Sequence, residues 1–175
     1  MFGVGGDGWY NASPNGLSST NPRIRLKFAM DKTTDSAAAY VLFSTGTIPL
    51  IYNCSIDKTT NVVYISRYNK TNNKTFEIAT NLPLNDGNWH SIDVSISTPN
   101  NTIDIVVDGK VFPRITDSEN TPPGEIKTSA VFLGGFANGN SFHGFIRDIW
   151  FGDVQKTDIA YQFNRNRGKN GGKVI

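Results

Sequence analysis

Apolar and polar residues alternate along much of this chain with a period of two, and that alternation restricts the fold more than any other feature. Ile24, Leu26, Phe28 and Met30 fall on one side of an extended chain, with Arg25 and Lys27 on the other. Ile92, Val94 and Ile96 alternate with Ser91, Asp93, Ser95 and Ser97, and Ile103, Ile105 and Val107 alternate with Asp104 and Asp108. Each run reads as a strand with one wet face, which fits antiparallel sheets and not a parallel sheet buried on both sides. Shorter runs at 40–44, 48–52, 62–68, 75–79, 131–133 and 145–151 continue the pattern. Turn signals separate them: Asn85-Asp86-Gly87, Pro99-Asn100-Asn101, Asp108-Gly109 and Pro122-Pro123-Gly124. Asp108-Gly109, between Val107 and Lys110-Val111-Phe112, predicts a tight hairpin. Helical spacing is confined to 153–163, a turn or two. The expected fold is all-β, an antiparallel two-sheet jelly-roll sandwich. Its expected core includes Trp89, Ile92, Val94, Ile105, Val107 and Leu133, with Trp89 capping the core where the strand 90–97 begins.

The chain has 175 residues, 38% of them hydrophobic, enough for one domain with one sizeable core. A single domain over 1–163 is expected, followed by a Gly/Asn-rich tail at 164–175. The tail carries Arg165, Arg167, Lys169 and Lys173, read either as a solvated terminus or as a weak site for sulfated glycans. A net charge of +2 is too small to imply a nucleic-acid partner. No apolar run approaches the ~20 residues of a membrane-spanning helix, so no membrane insertion is expected of this segment. The lone Cys54 excludes an internal disulfide. Sequons place candidate glycosylation sites at Asn11, Asn53, Asn69, Asn73 and Asn100, as in an extracellular chain.

Catalytic patterns are sparse. The three glutamates, Glu77, Glu119 and Glu125, show no paired-carboxylate spacing of the glucanase type. His90 and His143 accompany no nucleophile elbow. Gly3-Val-Gly-Gly-Asp-Gly8 lacks the Lys-Ser/Thr of a phosphate loop. A non-enzymatic binding module is expected.

From Leu84 onward the motifs resemble those of the laminin G / neurexin (LNS) family, a concanavalin A-like jelly roll. Leu84-Asn-Asp-Gly-Asn-Trp-His90 is similar to the family's Leu-Asn-Asp-Gly-x-Trp-His. Ile105-Val-Val-Asp-Gly109 is similar to its Val-Asp hairpin strand, and Val131-Phe-Leu-Gly-Gly135 to its apolar strand closed by glycines. Phe142-His-Gly-Phe-Ile-Arg-Asp-Ile149 resembles its Phe-x-Gly-Cys-Ile-Arg-Asp-Val ending, with Phe145 in place of the cysteine. The resemblance implies an extracellular module of an adhesion, matrix or receptor protein, part of a larger multidomain chain. It would recognise a protein or glycan through the sandwich rim. It also implies a rim Ca²⁺, for which Asn53, Asp57 and Asp153 are the candidate ligands. With so few carboxylates such a site would be weak, in the ~10⁻⁴–10⁻³ M range. A lectin-like module is the alternative, and Tyr64, Tyr68 and Trp150 on one exposed face would favour it.

Overall fold

The computed structural model of the chain describes residues 3–4, 10–12, 15–30, 39–47, 50–69, 72–119, 127–134, 142–157, 161–163 and 173–174. In chain order the strands are β1 (Gly3–Val4), β2 (Tyr10–Ala12), β3 (Arg23–Met30), β4 (Ala39–Thr47), β5 (Leu50–Asp57), β6 (Val62–Asn69), β7 (Asn73–Ala79) and β8 (His90–Ser97). There follow β9 (Thr102–Val107), β10 (Lys110–Val111), β11 (Ile115–Thr116), β12 (Lys127–Leu133), β13 (Gly144–Phe151), β14 (Val154–Thr157), β15 (Tyr161–Phe163) and β16 (Lys173–Val174). They form two antiparallel sheets. Sheet A has seven strands in the order β1-β2-β12-β4-β5-β6-β7. Sheet B has nine, with β10-β9-β8-β3-β13-β15-β16 in line, β11 also on β9 and β14 also on β13. The chain is thus an all-β jelly-roll sandwich, as its alternation requires.

Period two becomes one buried and one wet face per sheet. Ile24, Leu26 and Phe28 of β3, Ile92 and Val94 of β8, and Ile105 and Val107 of β9 enter the core from sheet B. Phe43, Tyr52, Cys54, Ile56, Val63 and Ile65 meet them from sheet A. Each such side chain contributes about 1.5–3 kcal/mol by leaving water. Phe28 and Phe142 pack edge to face, with ring centroids 6.4 Å apart.

The hairpin at Asp108-Gly109 forms as expected. Lys110 pairs with Val107, and φ is +49° at Asp108 and +76° at Gly109, the left-handed pair that matches the twist of the strands. Two expectations are corrected. The described residues of 153–163 are not helical: they supply β14 and β15. Phe151 pairs with Val154, so the chain reverses at Gly152-Asp153, with φ +58° at Gly152. A Cβ on Gly152 would lie 2.7 Å from the Gly16 carbonyl, so the reversal needs glycine on both counts. Trp89 is not core either; it is 39% exposed. Leu84 and His90 turn inward on either side of it, and the pleat sends Trp89 out.

Among the described residues one ion pair lies inside the sandwich. Arg67 of β6 and Asp117, one residue past β11, are 0% and 1% exposed. The guanidinium donates to both Asp117 oxygens from Nε and Nη2. Its Nη1 donates to the Asn72 carbonyl at 3.1 Å and to Asn72 Oδ1 at 2.7 Å. The pair therefore ties sheet A to the β9–β11 side of sheet B. Burial, with Asp117's charge added, pushes the neighbouring Tyr52 phenol up to about 12.

Candidate functional site

The outer face of sheet B carries cations and aromatic rings together. Along β3 the wet side is Arg23, Arg25 and Lys27. On the adjacent β13, Phe145 pairs with Ala29, Arg147 with Lys27, and Trp150 with Arg25. Arg147 and Trp150 are three residues apart, which a regular pleat would place on opposite faces. The register shifts between them, and Asp148 has φ +49°, so a bulge turns both outward. The Arg25 guanidinium then lies 4.9 Å from the centre of the Trp150 ring and the Arg147 guanidinium 4.1 Å from that of Trp89. Trp89 in turn packs on Phe145, with centroids 6.3 Å apart.

The four cations are not equally neutralised. Arg23 forms a two-pronged pair with Asp93, at 2.9 and 2.6 Å. Lys27 Nζ is 2.9 Å from Asp148. Arg25 donates to the Gly152 carbonyl at 2.9 Å and, among the described residues, has only Asp153, at 3.9 Å, as an acid. Arg147 makes no hydrogen bond among the described residues, and its nearest carboxylate is Asp148 at 3.7 Å. A ring face holds it instead; its Nε is buried without a partner, and the terminal N–H groups are left to meet an anion.

Trp89 is fixed from below. His90, the first residue of β8, turns its ring inward against Phe28, with centroids 5.7 Å apart. Its Nδ1 lies 2.7 Å from Asp108 Oδ2 and its Nε2 3.0 Å from Asp86 Oδ1. Asp86 also accepts from Asn88 N at 2.7 Å and Asn88 Nδ2 at 2.9 Å, while Asp108 accepts from Ser91 N at 2.7 Å. Burial alone would lower the imidazole pKa, but hydrogen bonds to Asp108 and Asp86, with their charges, outweigh it and raise it. The Asn88 backbone N–H, then the His90 and Asn88 side chains, hold the Asp86 carboxyl well below the usual range.

A sequence profile for the laminin G domain matches residues 32–154. The chain belongs to the laminin G domain family. Compared with curated protein sequences, the chain has no match. Among solved structures, domains LG4-5 of the mouse laminin alpha1 chain align with a TM-score of 0.58 at 12% identity, covering 99% of this chain and 47% of that one. The chain thus spans about half of that laminin fragment. The Ruminococcus gnavus IT-sialidase CBM40 bound to alpha2,3 sialyllactose aligns at 0.62 and 13% identity, covering 90% of this chain and 92% of that one. A native heptameric SAP-like pentraxin from Limulus polyphemus aligns at 0.53 and 12%, over 77% and 66%. These likenesses establish the jelly-roll fold, and the family supports a binding module.

Within this laminin G domain the expected site residues are scattered. Asn53 sits inside β5, paired across the sheet with Ser44 and Ser66, and its Oδ1 is buried without a hydrogen bond. Asp57, four residues on and so about 13 Å along the strand, uses Oδ1 to accept from Thr59 N and Thr60 N at 2.7 and 2.8 Å. Asp153 stands in the β13–β14 turn of sheet B, its side chain 99% exposed. These three do not fit one coordination sphere, and no group of three or more His, Cys, Asp or Glu gathers for a metal among the described residues.

The other expected residues divide in the same way. Tyr64 and Tyr68 share the outer face of β6 in sheet A, and Trp150 belongs to sheet B, so the three form no single platform. Of the sequons, Asn73 and Asn100 are exposed, at the start of β7 and in the β8–β9 turn. Asn69 ends β6, and Asn11 lies in β2. Arg165, Arg167 and Lys169 lie outside the described residues. Lys173 lies in β16, where it pairs with Gln162, so part of the expected tail is an edge of sheet B. Sequence reasoning found the wet cations of β3 but not Arg147, Trp89 or the ring of contacts around His90.

Proposed function

We propose that this laminin G domain is an extracellular recognition module that binds an acidic glycan on the outer face of sheet B, with Arg147 and Arg25 meeting carboxylate or sulfate groups and Trp89 and Trp150 backing them. The observation that carries this reading is the stacking of two guanidiniums on two tryptophans beside Lys27. Stacking orders both guanidiniums in advance; Arg25 spends Nη2 on the Gly152 carbonyl, while Arg147 keeps its terminal N–H groups, so little entropy is lost when an anion arrives. Similarity to a sialyllactose-bound carbohydrate-binding module supports the glycan half of the proposal. The cations at 165–173 would add attraction of longer range, screened by salt.

Calorimetry with sialylated, sulfated and neutral oligosaccharides tests it. Acidic members should bind and neutral ones should not. Arg147→Ala should weaken binding about tenfold or more, since a charge-assisted hydrogen bond is worth about 1.5–3 kcal/mol. Equal binding by wild type and an Arg25→Ala/Arg147→Ala double variant would reject this face.

A further inference from the structure

His90 closes a small ring of chain whose exposed tip is Trp89. Its Nε2 reaches back to Asp86, four residues earlier, so residues 86–90 form a loop tied by one side-chain contact. Its Nδ1 anchors that loop to Asp108 in the β9–β10 hairpin. Among the described residues the charged groups that face the ring are Asp86 and Asp108; β3 presents only the Phe28 ring, and Lys110 of β10 points its Nζ to the Thr80 carbonyl.

With a carboxylate at each nitrogen, both contacts are hydrogen bonds only when both nitrogens carry a proton, because a carboxylate only accepts. Neutral imidazole has one N–H, so one carboxylate would then face a lone pair. Asp108 remains anchored by Ser91 N whatever the ring does. Apart from His90, Asp86 is tied among the described residues only to Asn88, inside the same loop. The weaker link is therefore the one that shapes the chain around Trp89.

We propose that His90 is a pH-sensitive positioning residue for Trp89: as imidazolium it holds the 86–90 loop so that the indole supports Arg147, and loss of its proton relaxes that support. The inference rests on the reading of sheet B as the binding face and adds its regulation. Affinity for acidic groups should be high where the ring is charged and should fall as the pH rises.

The test has a spectroscopic and a binding arm, both on the intact chain. With 5-fluorotryptophan incorporated and Trp89 assigned by Trp89→Phe, the Trp89 ¹⁹F resonance should shift with pH at the midpoint of the His90 ring protons. Asp108→Asn, which keeps the imidazole and removes one carboxylate, should move both midpoints down together. His90→Gln should remove the ¹⁹F titration. In the binding arm, wild-type affinity for a heparin-derived octasaccharide should fall about fivefold between about pH 6 and about pH 9, and that of His90→Gln should stay flat. A Trp89 resonance that ignores the His90 midpoint, or still titrates in His90→Gln, overturns the proposal. If Trp89 follows His90 but the octasaccharide does not bind at any pH, the sheet B reading fails, and the proposed regulation with it.

Discussion

Arg67 with Asp117, and His90 with Asp86 and Asp108, are both cation–carboxylate clusters that join distant parts of the chain. The first is sealed inside the sandwich, at 0% and 1% exposure. The second lies at the rim around an imidazole, the side chain that titrates nearest neutral pH; its His90 side chain is 8% exposed, but those of Asp86 and Asp108 are 29% and 33% exposed. One is a permanent stitch between sheets and the other a conditional one. Burial strengthens an ion pair but makes breaking it costly, whereas a titratable group beside water can be switched at little cost to the rest of the fold.

The largest effect should come from breaking the sealed pair. Asp117→Ala leaves a buried guanidinium without its acid and should cost about 3–5 kcal/mol, read from urea unfolding. Arg67→Met combined with Asp117→Leu should recover much of that loss, since neither charge is then stranded. A double variant as unstable as the single one would mean that the bonds of Arg67 to Asn72 matter more than the pair.

An intermediate effect is expected at His90. Folding raises the pKa of its imidazole, so the contribution is complete below the unfolded value of about 6.5 and is lost as pH rises through the higher folded value. The urea midpoint of the wild type should therefore decline across that window, and His90→Gln should remove the decline. Asp86 works in the opposite sense. Its lowered pKa contributes stability above about pH 4 that is lost as the solution becomes more acidic.

The smallest effect belongs to Arg23 and Asp93, an exposed two-pronged pair on the same outer face. Arg23→Ala should cost about 0.2–1 kcal/mol and less in high salt. A cost comparable to that of Asp117→Ala would show that exposure does not rank these clusters.

The sequence by itself determined the long alternating strands and their wet and dry sides, because both are set by neighbours two residues apart. The expected run of Ile92, Val94 and Ile96 became the buried side of β8, and Asp108-Gly109 carried its own turn chemistry. Tertiary structure decided whatever depended on a partner far along the chain. Trp89 read as core because tryptophan usually is, but Leu84 and His90 take the inward places and Asp86 holds the loop that turns the indole out. The segment 153–163 read as a turn or two of helix, yet the open edge of β13 and the reversal at Gly152 make strands of 154–157 and 161–163. The cations of β3 were legible, but their meeting with Arg147 and Trp150 depends on one extra residue at Asp148, which breaks the period of two. Asn53 and Asp57 both lie in β5 of sheet A, and Asp153 lies in the β13–β14 turn of sheet B. Alternation is a local property and survives any arrangement of strands; a site is a set of distances between strands, which only their pairing and bulges fix.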